Sequence, residues 1–479
     1  MNISGFEKAC RISHFELEST VNGHTYACFD AVLQPENVSD VTAMVNDRRK
    51  TVIKLSDNTV VMTGCLYSAE GDITDTCAYL HIRAVSGSIW LEESFPEKRR
   101  VFQDTKKNAK KIIEHLNSAN KHSKCSVEVS SGLSQMQKEI TDVIVQDKTV
   151  NDHEFAVHIC ALHDCALISK YDDDIVRAVR LGEERISLSL DSEKRNCISE
   201  LKAVFEKGQT TVQFASLSKI SPGASVRFED VPACYAGKSF VVMKVRAVLQ
   251  GEYLKYEYTA VENADLSGYI LPQPECFVEK ATVSERSDDK KMGRLQVGFD
   301  SCEDIGESSR YWASYLTPYV GSSNNGVFMI PDVGDRVCVM ISHGDCVCIG
   351  SERRSAIQDD YSDLNALYAV YGKDRYMKIS DEGIIVSCGE KSSVKVMAEQ
   401  IVSEQDKRSI TLDKDSITVK NEDSTALTLK KDSIVLKQGD RKETLDKKAI
   451  FLENSGTSLT LESGSSLLKA KKIDFKTSM

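Results

Sequence analysis

The chain has 479 residues and a mass of 53.2 kDa, which at roughly 100–200 residues per domain predicts three or four domains. Its 41% hydrophobic and 28% charged residues are typical of a globular protein. Asp and Glu number 72 against 61 Lys and Arg, and the net charge of −11 argues against a protein that binds the phosphate backbone of nucleic acids.

Cysteine usage and the N-terminus predict a protein that is assembled in a reducing compartment. No apolar run approaches the roughly 18–20 residues of a membrane helix. Residues 1–18 lack the basic start and apolar stretch of a secretory signal, so none is expected. The 15 cysteines show no disulfide-framework spacing, and we expect free thiols, as in a cytosol.

Two parts of the N-terminal half are predicted to be small β-barrels. In residues 1–95, segments of partial apolar–polar alternation are separated by turn pairs such as Asn22-Gly23, which predicts a barrel or sandwich. Residues 211–275 repeat the pattern in TTVQFASL, ASVRFEDV, KSFVVMKVRAVLQ and YLKYEYTAVE, which predicts a second barrel.

Residues 96–210, between the predicted barrels, are expected to be helical and mixed α/β. Within 103–119, apolar residues recur at steps of three and four, which predicts an amphipathic helix with Asp104 as its N-cap. Further helices are expected near 152–168 and 193–207, alternating with strands such as SVEVSS and RISLSL.

Residues 276–353 are predicted to form a five-stranded barrel of the OB type. Short apolar strands, GRLQVGFD among them, are separated by turns such as Pro-Asp-Val-Gly-Asp and His-Gly-Asp. Five strands in about 75 residues suit this small barrel. Residues 354–375 are expected to be a linker.

An internal repeat begins at about Met377, with two short strands every 15–17 residues. One series of positions is Ile384, Ile401, Ile417, Ile434, Ile450 and Leu467. The second series is Met377, Val394, Ile410, Leu427, Thr444 and Leu459. Most strands are apolar–polar–apolar triads, so their outer two residues share one face.

Two inward side chains per strand are too few for a single chain to enclose a core. We therefore predict that residues 376–479 form an intertwined triple-stranded β-helix, a trimer in which strands of neighbouring chains pair. An ordinary β-meander or a single-chain β-helix is the alternative. The predicted trimer core consists of Ile401, Ile410, Leu412, Ile417, Val419, Leu427, Leu429, Ile434, Leu436, Ile450, Leu452, Leu459 and Leu461.

The order of these parts resembles the VgrG-type spike of type VI secretion systems. It is equally similar to the fused hub and spike proteins of contractile phage tails and extracellular contractile injection systems. The stretch Arg99–Phe102–Gln103 leading into a helix resembles the hub. Ser314 departs from the family, which often has arginine there. The OB block matches at Gly293, Arg294, Val297, Trp312, Ala313, Gly321, Gly326, Pro331, Gly334, Asp335, Val337, Gly344, Asp345 and Gly350.

This resemblance implies a mainly β protein, with a minor α/β part, whose function is mechanical. Residues 1–275 would form a trimeric hub that closes an inner tube, and the needle would pierce a target envelope. Assembly is expected in the bacterial cytoplasm, followed by secretion or injection with the particle. The resemblance also implies that a tip protein caps the last strands at Leu467, Ile473 and Phe475.

The partners that the resemblance implies are two further copies of the chain, the inner tube ring, baseplate proteins, a PAAR-like tip protein and effectors. No nucleic acid is expected, and the target membrane would be met only by piercing. A spike with cell-wall hydrolase activity and a trimeric tail-fibre-like adhesin are the alternatives. The short linker 354–375 leaves no room for an inserted lysozyme, which speaks against the first.

No catalytic residue, cofactor or metal site is predicted. His158, Cys160, His163 and Cys165 are residue types that bind zinc, but on one helix they would point to opposite sides. A structural helix is therefore favoured, and a two-ligand site completed from elsewhere is the alternative. Cys346 and Cys348 are expected to face a barrel core.

Overall fold

The structure, a computed structural model, describes residues 1–102, 108–119, 125–138, 140, 144–170, 175–194, 196–206, 208–229, 231, 235, 237–272, 276–303, 310–318, 327, 329–342, 345–353, 363, 365–372 and 374–474. The chain divides into two compact units, Met1–Arg354 and Ser355–Met479. In the described part of the chain, no helix is long and apolar enough to cross a membrane.

Twelve strands of the N-terminal unit form one continuous sheet. The first group is β1 (Asn2–Ile3), β2 (Arg11–Thr20), β3 (Thr25–Leu33), β4 (Lys50–Lys54), β5 (Val60–Ile73) and β6 (Ala78–Val85). The second group is β12 (Arg185–Ser189), β13 (Ile198–Glu206), β14 (Gln209–Ser216), β15 (Ser225–Glu229), β16 (Phe240–Gln250) and β17 (Tyr253–Val261). The main order is β1-β4-β5-β6-β3-β2-β16-β17-β14-β13, and β15 pairs with β12 and β16.

The two predicted barrel regions are therefore joined by hydrogen bonds between β2 and β16, whose register places Leu17 opposite Ala247. Each region keeps its own core. Phe15 and Phe29 lie in the first core, and Phe214 and Phe240 lie in the second. The second region also includes β12 and β13, which lie within the range predicted to be mixed α/β.

The remaining elements of this region form a helical layer with short strands. The helices are α1 (Val38–Asn46), α2 (Ile89–Glu92), α3 (Ala109–Ala119) and α4 (Asp152–Ala161). The strands are β7 (Arg100–Phe102), β8 (Ser126–Val129), β9 (Ile144–Gln146), β10 (Cys165–Ser169) and β11 (Ile175–Arg180). β8, β10 and β11 form a three-stranded sheet, and β7 pairs with β9.

The predicted amphipathic helix is confirmed as α3, whose residues Ala109, Ile112, Ile113 and Leu116 are buried. Its predicted N-cap, Asp104, lies outside the described residues.

The helix predicted near 193–207 is wrong, because that stretch forms β13, which pairs with β14 in a hairpin whose turn contains Gly208 at φ +78°. The helix predicted over 152–168 ends at Ala161. A turn with Asp164 at φ +53° follows it and leads into β10.

The OB prediction is confirmed by a closed five-stranded barrel in the order β18-β19-β20-β22-β21. Its strands are β18 (Cys276–Glu285), β19 (Leu295–Phe299), β20 (Arg310–Tyr315), β21 (Arg336–Ser342) and β22 (Asp345–Glu352). Val283, Leu295, Val337 and the two cysteines Cys346 and Cys348 lie in its core.

The C-terminal unit is a thirteen-stranded sheet in which each strand pairs antiparallel with the next strand of the same chain. Its strands are β23 (Leu367–Tyr371), β24 (Arg375–Ser380), β25 (Gly383–Cys388), β26 (Ser392–Val396), β27 (Gln400–Gln405), β28 (Arg408–Asp413), β29 (Ser416–Asn421), β30 (Thr425–Lys430), β31 (Ser433–Gln438), β32 (Arg441–Asp446), β33 (Ala449–Asn454), β34 (Thr457–Glu462) and β35 (Ser465–Lys469). The strand pairing predicted between chains thus lies within one chain, as in the alternative meander.

Candidate assembly interface

Two adjacent arginines join the helical layer to the OB barrel. The guanidinium of Arg99, next to β7, lies 4.7 Å from the ring centroid of Phe277 and pairs with Glu279 of β18. It also donates to Asp147, with Nη2 2.9 Å from the carboxylate. Arg100 donates through Nε to Glu303 at 2.6 Å. These groups are partly buried, and because charge-assisted hydrogen bonds are among the stronger polar contacts, the joint ties the barrel to the layer.

The OB residues that carried the resemblance fall into two structural groups. In the first, Arg294 forms a fork with Asp288, with Nε 3.1 and 3.2 Å from the two carboxylate oxygens, and its guanidinium lies 5.3 Å from the Trp312 ring centroid. This hydrogen-bonded arginine holds the pKa of Asp288 well below its usual range. Gly293, directly before Arg294, has φ +69°, a conformation that favours glycine.

The second group forms the turn that enters β21. Gly334 has φ +92° and donates its backbone N–H to Val283, and the side chain of Asp335 accepts from the N–H of Asp332, which follows Pro331. At the other end of β21, Asp345 begins the next strand, β22. Gly350 lies at the bulge where the register between β22 and β21 shifts. Gly326 and Gly344 lie outside the described residues.

One face of the C-terminal sheet carries two parallel columns of apolar side chains. Directly paired residues share a face, so the strand registers assign each column. One column is Ile379, Ile384, Val396, Ile401, Leu412, Ile417, Leu429, Ile434, Leu445, Ile450, Leu461 and Ser466. The other is Met377, Val386, Val394, Ser403, Ile410, Val419, Leu427, Leu436, Glu443, Leu452, Leu459 and Leu468.

All thirteen residues predicted for the trimer core lie on this face, which we call the inner face. In the single chain their side chains remain partly accessible; Ile410, for example, is 46% exposed and Ile417 is 41% exposed. The opposite, outer face has threonines at its centre, among them Thr411, Thr418 and Thr428. Exposed apolar faces of this length are typical of surfaces that bind another protein.

The registers correct two of the predicted positions, Thr444 and Leu467. Thr444 pairs with Val435 and Phe451 and therefore lies on the outer face, where Glu443 takes its place in the inner column. Leu467, predicted to contact the tip cap, pairs with Thr460 on the outer face, and Leu468 occupies the inner position. The other predicted cap residues lie beyond the last strand: Ile473 is 43% exposed, and Phe475 is outside the described residues.

The sequence pattern predicted that the four residues of zinc-ligand type lie on one helix. The structure places them on three different segments. His158 and Cys160 lie on α4, His163 lies in the turn, and Cys165 begins β10. His158 Nδ1 accepts the backbone N–H of Leu271 at 3.0 Å, and burial lowers the pKa of His158 to about 4. No group of three or more potential ligands that could hold a metal ion occurs among the described residues.

A buried histidine pair was missed by sequence reasoning. The His24 ring lies between Ser88, whose Oγ is 2.6 Å from Nδ1, and Glu92, which contacts Nε2. This serine–histidine–glutamate order has the form of a nucleophile and base, but Ser88 is 0% exposed and no substrate reaches it. The ring of His153 lies 4.4 Å from that of His24, and burial lowers the pKa of His153 to about 3.

Comparison with known proteins agrees with this architecture. Residues 279–348 match the family model of the type VI secretion system and phage-baseplate injector OB domain. An Escherichia coli protein, c3393, described as a type VI secretion component with structural similarity to T4 bacteriophage tail proteins gp27 and gp5, aligns with a TM-score of 0.52 at 13% identity. That alignment covers 73% of this chain and 99% of the other.

Two further structures are similar over large parts of the chain. The Francisella PdpA–VgrG complex, half-lidded, has a TM-score of 0.45 at 9% identity, covering 93% of this chain and 84% of the other. A tail protein from Neisseria meningitidis MC58 has a TM-score of 0.40 at 11% identity, covering 55% and 95%. No curated protein matches the chain. The OB match and the shared fold confirm the predicted resemblance to a VgrG-type spike.

Proposed function

We propose that the chain is one of three identical subunits of a puncturing spike at the tip of the inner tube of a contractile injection machine. The inner face of the C-terminal sheet is the observation that carries this proposal. Three copies that turn their inner faces toward a common axis bury both apolar columns. The outer, threonine-rich faces then stay in water.

The energetics favour such an assembly. Burying the exposed remainder of each inner apolar side chain contributes on the order of 1 kcal/mol, and each chain presents about twenty of them, counting leucine, isoleucine, valine and methionine. Each of the thirteen strands except β23 and β35 already pairs on both sides, so no other described strand of this sheet offers a free edge. At about 4.8 Å per strand, thirteen strands form a needle segment of roughly 58 Å.

The function of this assembly is mechanical, with the N-terminal sheet as the hub on the tube and the needle as the piercing element. We propose the inner tube ring and baseplate proteins as partners of the hub, and a PAAR-like tip protein and effectors as partners at the distal end. Assembly takes place in the bacterial cytoplasm, and the spike leaves with the particle. No enzymatic step is part of this proposal.

Solution mass of the full chain tests the proposal. A mass of about three times 53.2 kDa by light scattering, and a trimer band in unboiled samples on a denaturing gel, are expected. A monomer under all conditions contradicts the spike. In particles that lack this protein, we expect the tube to lose its ability to pierce a target envelope.

A further inference from the structure

Two hairpins of the C-terminal sheet, 33 residues apart in sequence, are near copies of each other. The first consists of β28 and β29, and the second of β32 and β33. In both, an aspartate accepts hydrogen bonds from the turn: Asp413 from the N–H groups of Asp415 and Ser416, and Asp446 from those of Lys448 and Ala449. The repeated geometry allows the two hairpins to be compared position by position.

The hairpins differ at two positions of the inner face, and only one of the two differences changes the charge. The other is the conservative change from Val419 to Leu452. Ile410 of the first hairpin corresponds to Glu443 of the second. Glu443 lies between Leu436 and Leu452, its direct partners on the neighbouring strands. It is the only charged residue in the two apolar columns of the described sheet.

An arginine next to this position also behaves differently in the second hairpin. Arg408 of the first hairpin donates through Nε to Asn421, its cross-strand partner, at 3.0 Å. The equivalent residues, Arg441 and Asn454, are also cross-strand partners but form no such hydrogen bond. Across the described residues, neither Arg441 nor Glu443 has a side-chain hydrogen bond or ion pair.

Arg441 and Glu443 share the inner face, because they are two residues apart on β32. Burial of the inner face against two further copies would remove water from the carboxylate, and an unpaired buried charge is costly. The diagonal neighbours Ile434, Gln438, Ile450 and Asn454 carry no charge. Arg441 is therefore the nearest cation on the inner face, and it lies beside the second apolar column at the first residue of β32, the strand end at which sheets arranged around a common axis would adjoin.

We propose that Arg441 of each copy pairs with Glu443 of the neighbouring copy, so that three ion pairs encircle the needle at β32. The layer fixes the axial register of the three chains, because a shift by one hairpin would set Thr425 or Thr457, which hold the position of Arg441 on β30 and β34, against each carboxylate in place of a cation. A single polar layer in an apolar core specifies register in the same way in coiled coils. The inference rests on the proposed trimer.

Charge-reversal variants of the full chain test this pairing. R441E gives each chain two glutamates at this layer and E443R gives it two arginines, so each alone is expected to lose the trimer band in unboiled gels. Mixed by co-expression with different tags, the two variants restore opposite charges at two of the three contacts of a mixed trimer, since a ring of three always keeps one like-charge contact, and they are expected to recover the band in part. The swap R441E/E443R within one chain is also expected to recover it.

The outcomes separate the possibilities. Recovery by the swap but not by mixing would place the pair within one chain and overturn the proposal. Unchanged trimers in both single variants would also overturn it. So would failure of both rescues. E443I, which restores the residue of the first hairpin, is expected to keep the trimer, because it removes the carboxylate that burial would leave in need of a partner. A monomeric wild-type chain would contradict the spike itself, whereas a trimeric wild type that is insensitive to these variants contradicts only the register layer.

Discussion

Arg100 and Asp152 form a buried ion pair in the N-terminal unit, with Nη1 2.6 Å from Oδ1 and side chains that are 4% and 0% exposed. Gln146 donates to the same carboxylate at 2.8 Å, and Ser94 donates to its other oxygen at 2.6 Å. The charge is therefore paired and hydrogen-bonded, which is the condition under which burial is tolerated. Through Arg100, the N-terminus of α4 is coupled to Glu303 of the OB domain.

Removal of one partner of this pair is expected to destabilise the unit strongly. R100A leaves Asp152 charged and buried, which costs about 3–5 kcal/mol. Urea unfolding followed by fluorescence measures this, because the two tryptophans, Trp90 and Trp312, lie on either side of the joint. As a matched control, E114A breaks the exposed Lys110–Glu114 pair and should change stability by less than about 1 kcal/mol. Equal midpoints for the two variants would contradict the importance of the buried pair.

The periodic parts of the fold were predictable because their information is local. In the C-terminal sheet, a two-residue alternation repeated every 15–17 residues predicts the strands and the face that each apolar residue occupies. The exceptions are Thr444 and Leu467, which were assigned from the length of the repeat and not from cross-strand pairing. An offset of one residue moves a side chain to the other face of the sheet. The helix α3 was found for the same reason, through its apolar stripe.

The contacts that join these parts could not be predicted from local patterns. The pairing of β2 with β16 joins strands more than 200 residues apart, and no periodicity specifies it. The helix α1 was missed because only Val41 and Met44 are buried, which is too short a stripe to recognise. Arg99 was noted in a motif, but its partner Glu279 lies in β18, a strand that the turn pattern did not single out.

The inner and outer faces of the needle sheet are expected to respond oppositely to a charge. I417D places a carboxylate on the inner face, where trimer formation would bury it, and should abolish the trimer. T418D, one residue later on the outer face, should leave the trimer intact. Since Ile417 is 41% exposed in the single chain and Thr418 is less exposed, a monomeric protein would tolerate I417D at least as well as T418D. Light scattering on the two full-length variants decides, and equal masses would contradict the assignment of the faces.

The Arg294–Asp288 fork is expected to stabilise the OB barrel through geometry as well as charge. R294K keeps the positive charge but loses the fork and the stacking on Trp312, and should cost about 1–2 kcal/mol. D288N should cost a similar amount at neutral pH. Because the folded state lowers the pKa of Asp288, this stabilisation is present above the ordinary carboxylate pKa and is lost as the pH falls below it. If R294K and wild type unfolded at the same urea concentration, by Trp312 fluorescence, the fork would have no role in stability.

The buried pair His24 and His153 is expected to make the N-terminal unit sensitive to acid. Burial lowers the pKa of both, to about 3 for His153, while the unfolded chain titrates near 6.5. The unfolded state therefore binds more protons between these values, and stability falls as the pH drops below 6.5. The contribution of His153 between pH 7 and pH 5 is about 2 kcal/mol.

H153Q should remove that part of the acid sensitivity, measured as the shift in thermal unfolding between the two pH values. H81Q, at a half-exposed histidine paired with Asp30, is the control that should keep it. The same shift in H153Q as in wild type would show that this histidine does not limit stability in acid.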